Sequence, residues 1–571
     1  MASPFAREAT DSDVSVDTWP AILTIVLFFL SNLAVIFPLR LPVPVAFLRA
    51  GRHVLVRARV LPDRPQAMVK PRHISLNFIT VPLASVLLLL AAKVFNSQTV
   101  RDGIVGTGGV SPLNIMALFI SLAYISISLD ATGLLRFLAF WVANKGGSSG
   151  RKLFAYLYVF FLLSGVIVGN DPVILSGTAF LAYFTRAAGI TPPTAWIFSQ
   201  FAAANMASVV LVSSNPTNLV LSGAFSLSFL SYAAHVVLPF LAAAACVFPL
   251  LLVLFRSPAL IPPRIDVPLS PAEVRAALVD PAGAVFGAVL LGVTLAVLVG
   301  VSTIGVPVYM VTVPPAVIML LRDVRHDWSR RHLQAPLSPS EDDGSSEDGA
   351  VEVQSTAHEL QDLASRTPSV APSSSMPARP KPYALLPRLQ RTHTRLTRTF
   401  PTVAHIAARL PVALLPFAFL MFVLVQGLAA QGWVALFARW WAAWVRATGV
   451  LGAVGGMGFL ACVMCNFCGT NIGATILLAR VLQLWLSAAS PTPSPRERDG
   501  AVYALALGSN FGACTLTFSA SLAGLLWRGI LREKGVHVRA RQFLALNLPI
   551  SGVAMLVACA VLVGQVYVEH R

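Results

Sequence analysis

The sequence predicts an all-α polytopic membrane protein of about ten crossings, built from two inverted repeats that each hold a re-entrant hairpin and a broken transmembrane helix. Three observations carry that prediction. Hydrophobic residues fill 56% of the 571 positions and charged residues only 12%, with a mean hydropathy of +0.73, against roughly 25% charged in a soluble chain. The long apolar runs are continuous and near the roughly 20 residues that a helix needs to cross the hydrocarbon, which excludes the alternating strands of a barrel. The runs that are interrupted by Gly, Asn and Pro come as two similar sets.

Residues 1–110 read as an N-terminal tail and scaffold helices. The tail carries Glu8, Asp11, Asp13 and Asp17 where a signal peptide needs a basic flank, so no cleaved signal is expected. Spans are expected at Trp19–Leu39, Ile74–Phe95, Ser111–Leu129, Ser231–Phe255, Gly283–Val301, Val306–Leu321, Leu410–Ala429 and Phe543–Val566. The loop from Arg40 to Arg72 holds eight Lys/Arg against the one acid Asp63. The loop Arg528–Arg541 is similarly basic, and both belong on the cytoplasmic side. The net charge of +17 is spread over such short loops; it reports topology, and no nucleic-acid partner is expected.

Residues 111–255 form the first transport repeat, 256–321 the linking transmembrane helices and 401–571 the second repeat. Between them, 322–400 runs from basic to acidic (EDDGSSEDGAVE), then to Ser/Pro-rich and back to basic. That composition cannot bury a core and reads as a disordered cytoplasmic linker.

The two interrupted sets are VIVGNDPVILSG around Asn170 with LVSSNPTNLVLSG around Asn215, and VMCNFCGTNIGATILL around Asn466 with ALGSNFGACTL around Asn510. Their internal separations are 45 and 44 residues. Each follows a span and a short aromatic amphipathic stretch, LLRFLAFWVANK or WVALFARWWAAWVRA. Loop charge puts the first stretch inside and parity puts the second outside, which inverts the halves. The hairpins are Leu153–Arg186, turning at Gly169–Pro172, and Leu451–Leu486. The broken crossings are Thr194–Leu227, interrupted from Ser213 to Asn218, and Gly500–Trp527. Both termini then lie outside.

Unwound backbone at membrane depth is tolerated only where it is buried in protein or lines a wet cavity. Half-helix N-termini there offer amides to oxygen-bearing solutes, and carbonyl ends can hold a cation. The candidate binding residues are therefore Asn170, Asp171, Ser213, Ser214, Asn215, Thr217, Asn218, Asn466, Thr470, Asn471, Ser509 and Asn510, with Gly469, Gly508 and Gly512 letting the backbone turn or approach a ligand. Asp171 is the only carboxylate placed at mid-depth. It is a candidate to carry a coupled H+ or Na+, and its alternative role is a cap on the second hairpin arm. The Asn side chains have the same alternative, local capping of broken helix ends.

At these motifs the sequence resembles the ion transporter superfamily, in the branch of arsenite permeases, NhaD-type sodium/proton antiporters, the melanosomal P protein and citrate-transporter-like domains. GNDPVIL resembles the Asn-Asp hairpin tip of the arsenite permease branch, and SSNPTNLV its first broken-helix motif. GSNFGACTLTFSASLAGLLWRGILREKGV with LNLPI is similar to its C-terminal signature. The resemblance implies substrate and coupling-ion sites at the two tips and two breaks, with an elevator-like movement of that core. The Ser-Asn-Thr tip of the dicarboxylate branch is absent.

The expectation is a secondary transporter of a small anion or metalloid, with arsenite-like efflux leading. Uptake or exchange of citrate or a dicarboxylate is the second transport reading, and a chloride channel-like pH regulator belongs to another class. A homodimer is compatible, in the plasma membrane or a vacuolar membrane. Cys462, Cys465 and Cys468 invite a thiolate site for trivalent arsenic, but spacings of three and six put them on one helix stripe, where packing is expected. Arg186 and Arg480 are expected to snorkel to their interfaces. No phosphate-binding GxxxxGK[ST] and no HExxH is present, so neither an intrinsic ATPase nor a metalloenzyme is supported, and no resident cofactor is expected.

Overall fold

The computed structural model describes residues 16–42, 57–58, 73–265, 271–301, 308–333 and 385–571. The chain divides into a large unit, Met1–Pro42 with His73–Val324 and Thr402–Arg571, and a small one, Val43–Arg72 with Arg325–Pro401. Within the small unit the rings of Trp328 and Phe400 stack at 6.4 Å.

In the large unit, α1 (Trp19–Ile36) packs on α2 (Thr80–Ala91), and the short strands β1 (Leu39–Pro42) and β2 (His73–Leu76) pair antiparallel beside them. The continuous span expected over Ile74–Phe95 is corrected here: it is a strand followed by a helix of 12 residues. Asn77 divides them, its Oδ1 accepting from the amides of Ile79 and Thr80 at 2.9 and 3.0 Å. A short polar side chain thus supplies the local bonds that compete with helix.

After α3 (Ser97–Val105) come α4 (Pro112–Ala131), α5 (Leu134–Lys145), the hairpin α6 (Gly150–Val168) and α7 (Asn170–Ala187), the pair α8 (Thr194–Ala207) and α9 (Pro216–Phe225), and α10 (Phe229–Leu254). Then follow α11 (Pro271–Ala276), α12 (Pro281–Val301), α13 (Val308–Leu333), α14 (Leu385–Thr399) and α15 (Pro401–Arg409). The stretch expected as a linker is helical at 322–333 and 385–399; its acidic and Ser/Pro-rich part, 334–384, lies outside the described residues.

The last third repeats the order of the first. It comprises α16 (Leu414–Ala430), α17 (Trp433–Phe467), α18 (Asn471–Ala488), α19 (Pro495–Phe511), α20 (Leu522–Glu533) and α21 (Ala540–Glu569). Helix α17 is two helices joined at Gly449, whose φ of 62° is non-helical. Glycines in the left-handed region recur at matching places: Gly133 and Gly432 open the amphipathic helices at φ 85° and 82°, and Gly169 and Gly469 turn the hairpin tips at φ 91° and 80°. Only glycine adopts this backbone without strain. A cis proline, Pro192 or Pro491, precedes each broken crossing.

The two repeats exchange partners. Hairpin arm α7 packs on α20, and α18 packs on α9, so each hairpin leans on the far half of the other repeat's broken crossing. All 14 positions of α8 are buried, and so are Gly500–Phe511 of α19. These two helices form the centre, while α1, α10 and α12 present exposed Phe29, Leu241 and Val289 outward.

Candidate functional site

The tips and breaks fall into two chemically different groups. The first is a closed network. At the first break, α8 ends at Ser208, a 3-10 turn covers Val212–Ser214, and Asn215 is extended at φ −150° and ψ 140°. The interruption therefore lies earlier than the expected 213–218: Pro216 is the first residue of α9, where its missing amide costs nothing and its φ suits a helix. Asn510 of α19 reaches into this break. Its Oδ1 accepts from Ser208 Oγ at 2.8 Å and from Asn215 Nδ2 at 3.0 Å, and its Nδ2 donates to Asn218 Oδ1 at 2.7 Å. Asn218 Nδ2 in turn donates to the carbonyls of Ser208 and Leu211, and Thr217 Oγ1 donates to Asn218 Oδ1 at 3.3 Å.

The second break, between α19 and α20, is held by Asn466. Its Nδ2 donates to Thr515 Oγ1 at 2.8 Å, and its Oδ1 accepts from the Thr517 amide at 3.0 Å. Ser521 caps α20 by accepting from Gly524 at 3.0 Å. The residue pairing read from the sequence is corrected by these placements. Asn170 begins a second hairpin arm and its counterpart is Asn471, whereas Asn466 ends a first arm. Asn215 caps the second half of a broken crossing, whereas Asn510 ends the first half of one. The separations of 45 and 44 therefore compare unlike positions.

The second group is the tips themselves. Asn170 and Asp171 lie in the first turn of α7, and Thr470 and Asn471 at the start of α18. Among the described residues none of these four side chains has a hydrogen-bond partner, although Asn170, Thr470 and Asn471 are buried and Asp171 is half-buried. Gly169 packs against Ser214, whose Oγ donates to the Val166 carbonyl at 3.2 Å, tying the first tip to the first break. Ser213 lies beside it, half-buried.

Three candidates sit apart from both groups. A Cβ on Gly508 or Gly512 would strike Ala461 at 2.7 Å or Cys465 Sγ at 2.8 Å, so these glycines bring α19 against α17. Ser509 Oγ donates back to the Ala506 carbonyl at 3.1 Å. Cys462, Cys465 and Cys468 are buried in the same packing layer, with Cys465 Sγ 3.7 Å from the Ser509 carbonyl. No cluster of three or more His, Cys, Asp or Glu suited to a metal occurs among the described residues. Arg186 donates to the Lys534 carbonyl at 2.9 Å, and Arg480 bonds Thr107 and Gln426.

Sequence reasoning missed a set of buried charges. Asp171 is not the only acid inside: the side chains of Asp130 and Asp323 are both 0% exposed. Asp130, near the end of α4, accepts from Ser176 of α7 and pairs with Arg409 of α15 at 3.3 Å. Asp323 accepts from Ser128 at 2.7 Å and Tyr124 at 3.0 Å and pairs with Arg322, which also grips Asp280. The sequence held one usable signal, that Ser128 and Asp130 interrupt an otherwise apolar helix end.

Nine helices among the described residues are long and apolar enough to cross a membrane. Together with the paired hairpins and broken crossings at the centre, they define a polytopic α-helical integral membrane protein. A family model described as citrate transporter matches residues 68–332, and one described as arsenical pump membrane protein matches 398–566. The tip and break motifs lie within these two matched stretches, and the families described are ones that the motifs resemble. Curated arsenical pump membrane proteins are similar: that of Escherichia coli K12 is 31% identical over 212 residues, 36% of this chain and 48% of its own length. That of Yersinia enterocolitica is 27% identical over 236 residues, 40% of this chain and 54% of its own length. The match thus spans about half the length of these relatives. Among solved structures, the YdaH transporter of Alcanivorax borkumensis superposes with a TM-score of 0.48 at 16% identity, over 97% of this chain and 99% of that one.

Proposed function

We propose that the protein is a secondary transporter of a small oxygen-rich anion or neutral metalloid hydroxide, with arsenite-like efflux as the leading activity. The observation that carries this reading is the division just described. The break residues satisfy one another, while Asn170, Asp171, Thr470 and Asn471 face no protein partner at the N-termini of two 18-residue helices. Such helix starts favour negative charge and oxygen lone pairs, and amide and hydroxyl side chains supply both donors and acceptors. Asp171 gives the first tip a negative charge, which suits H+ or Na+; the second tip has no acid in its first turn and suits the solute. Inversion of the halves would expose the two tips to opposite sides in alternation.

The relatives named as arsenical pump membrane proteins support the substrate class. Citrate is the second reading, favoured by the citrate transporter model over the first half. The test is uptake into proteoliposomes of arsenite, citrate and succinate, with and without a pH or Na+ gradient, in wild type and Asp171→Asn. Saturable flux of one solute that follows the gradient and collapses in the variant is the expected result. Unchanged flux in Asp171→Asn would return that residue to a helix cap, and flux that neither saturates nor responds to a gradient would favour a channel.

A further inference from the structure

Helix α1 lies outside both repeats, yet it places one buried amide on the second hairpin tip. Its inward stripe is Ala21, Thr24, Phe28, Ser31, Asn32 and Val35, with Phe29, Leu30 and Leu33 facing outward. The stripe's hydroxyls are satisfied. Thr24 Oγ1 donates to the Pro20 carbonyl at 2.7 Å, and Ser31 Oγ bonds the Leu27 carbonyl at 2.8 Å and Ser85 at 2.9 Å. Asn32 differs: it is 1% exposed, and neither its Nδ2 nor its Oδ1 has a partner.

Its direction is fixed by Gly469. A Cβ there would lie 2.7 Å from Asn32 Oδ1, so the amide occupies the space that the glycine leaves open at the tip. The next residue, Thr470, is 0% exposed, its Oγ1 also lacks a partner, and it stands at the N-cap of α18 without making a side-chain cap bond. Asn471 follows, buried, as the first residue of the helix. Each unmet buried polar group costs about 1–3 kcal/mol, so the unmet atoms of Asn32 and Thr470, residues that meet at one tip, imply a further species that satisfies them.

We propose that Asn32, Thr470 and Asn471 form a solute subsite at the second tip, closed from the side by α1. The inference deepens the transport reading and rests on it. The amide presents a carbonyl and two N–H groups, the hydroxyl presents either role, and the helix start adds amide donors with partial positive charge. The matching ligand is small and carries both hydroxyl and oxo character: a neutral metalloid hydroxide or a singly charged oxyanion. Asn32 is then a specificity determinant supplied by the scaffold rather than by either repeat.

The test uses the full-length protein in detergent and in proteoliposomes, with arsenite as the neutral-hydroxide probe and phosphate as the oxyanion probe. Thermal unfolding is measured with and without each probe in wild type, Asn32→Leu and Thr470→Val. Leucine keeps the branching of asparagine at Cγ and removes its two unmet atoms, while its larger methyls crowd the space beside Gly469, so Asn32→Leu is expected to fold and to melt near wild type without ligand. The probe-induced rise in melting temperature should disappear in both variants, and KM for the transported probe should rise tenfold or more. A rise of wild-type size in both variants with KM within twofold, or no rise from either probe in wild type, overturns the subsite. Should Asn32→Leu not fold, Thr470→Val decides by the same criteria. Absence of gradient-driven flux in wild type while the melting shift persists overturns the transport reading instead.

Discussion

Asn510 Nδ2 donates to Asn218 Oδ1 at 2.7 Å, joining residues 292 apart in the chain, one from each repeat. The orientation of both amides is determined. Asn218 Nδ2 is committed to the carbonyls of Ser208 and Leu211, so its oxygen must face Asn510, and Asn510 must then turn its own oxygen to Ser208 and Asn215.

Asn510→Ala is therefore expected to destabilise by about 1–3 kcal/mol, since it strands the buried Asn215 Nδ2 and leaves Asn218 Oδ1 only the 3.3 Å bond from Thr217. Asn510→Asp keeps the two bonds that its oxygen accepts but sets a carboxylate against Asn218 Oδ1, and it should fall below the alanine variant only if that repulsion exceeds the kept bonds. Thermal unfolding in detergent measures both, and an Asn510→Ala midpoint equal to wild type would show that the network is dispensable.

The Asp130–Arg409 pair yields a reciprocal prediction. Arg409 is one-third exposed and Asp130 is not exposed at all. Removing the cation strands a buried carboxylate, which for a fully buried pair costs about 3–5 kcal/mol, discounted here to about 1–2 kcal/mol because water reaches the arginine. Arg409→Leu should lose that amount, and Arg409→Leu with Asp130→Asn should recover most of it. A double-mutant cycle with no coupling would remove the pair from the stability of this region.

Two positive-φ glycines, one at the α17 kink and one at the second tip, separate two penalties. Gly449 has φ 62° and ψ −149°, a conformation almost reserved for glycine, with nothing within 4 Å of the place a methyl would take, so Gly449→Ala should cost only backbone strain of about 1–3 kcal/mol. Gly469→Ala also carries positive-φ strain, at φ 80°, and in addition drives a methyl onto Asn32 Oδ1. It should unfold at a clearly lower temperature than Gly449→Ala. Equal melting of the two variants would mean that α1 yields readily at this contact.

Much of this arrangement was legible because interruptions are conspicuous in apolar runs. Gly169, Pro216 and Gly469 each break a hydrophobic stretch, and each sits close to a helix start. The register between repeats was not legible, because Asn serves as a cap at 215 and as a helix-end linker at 510, and the residue type does not distinguish the roles. Asp130 and Asp323 were hidden for a different reason. They lie where the apolar runs end, where an acid is ordinary, and Asp130 meets its arginine 279 residues away. Asn32 leaves no pattern at all in sequence, since what singles it out is the absence of a partner in three dimensions.

The exchange of bonds between the repeats also sets a timetable for biogenesis. Ribosomes add roughly 5–20 residues per second, so the 292 residues between Asn218 and Asn510 take roughly 15–60 s to synthesise. For that interval α8 and α9 are already in the translocon's care with the Asn218 oxygen and the Asn215 amide still waiting, and α8 has no lipid-facing side on which to rest. The nascent first half must stay shielded by its neighbours or by an insertion factor until the last quarter of the protein emerges, and a ribosome that stops before residue 510 leaves behind a product whose central polar groups a quality-control protease can recognise.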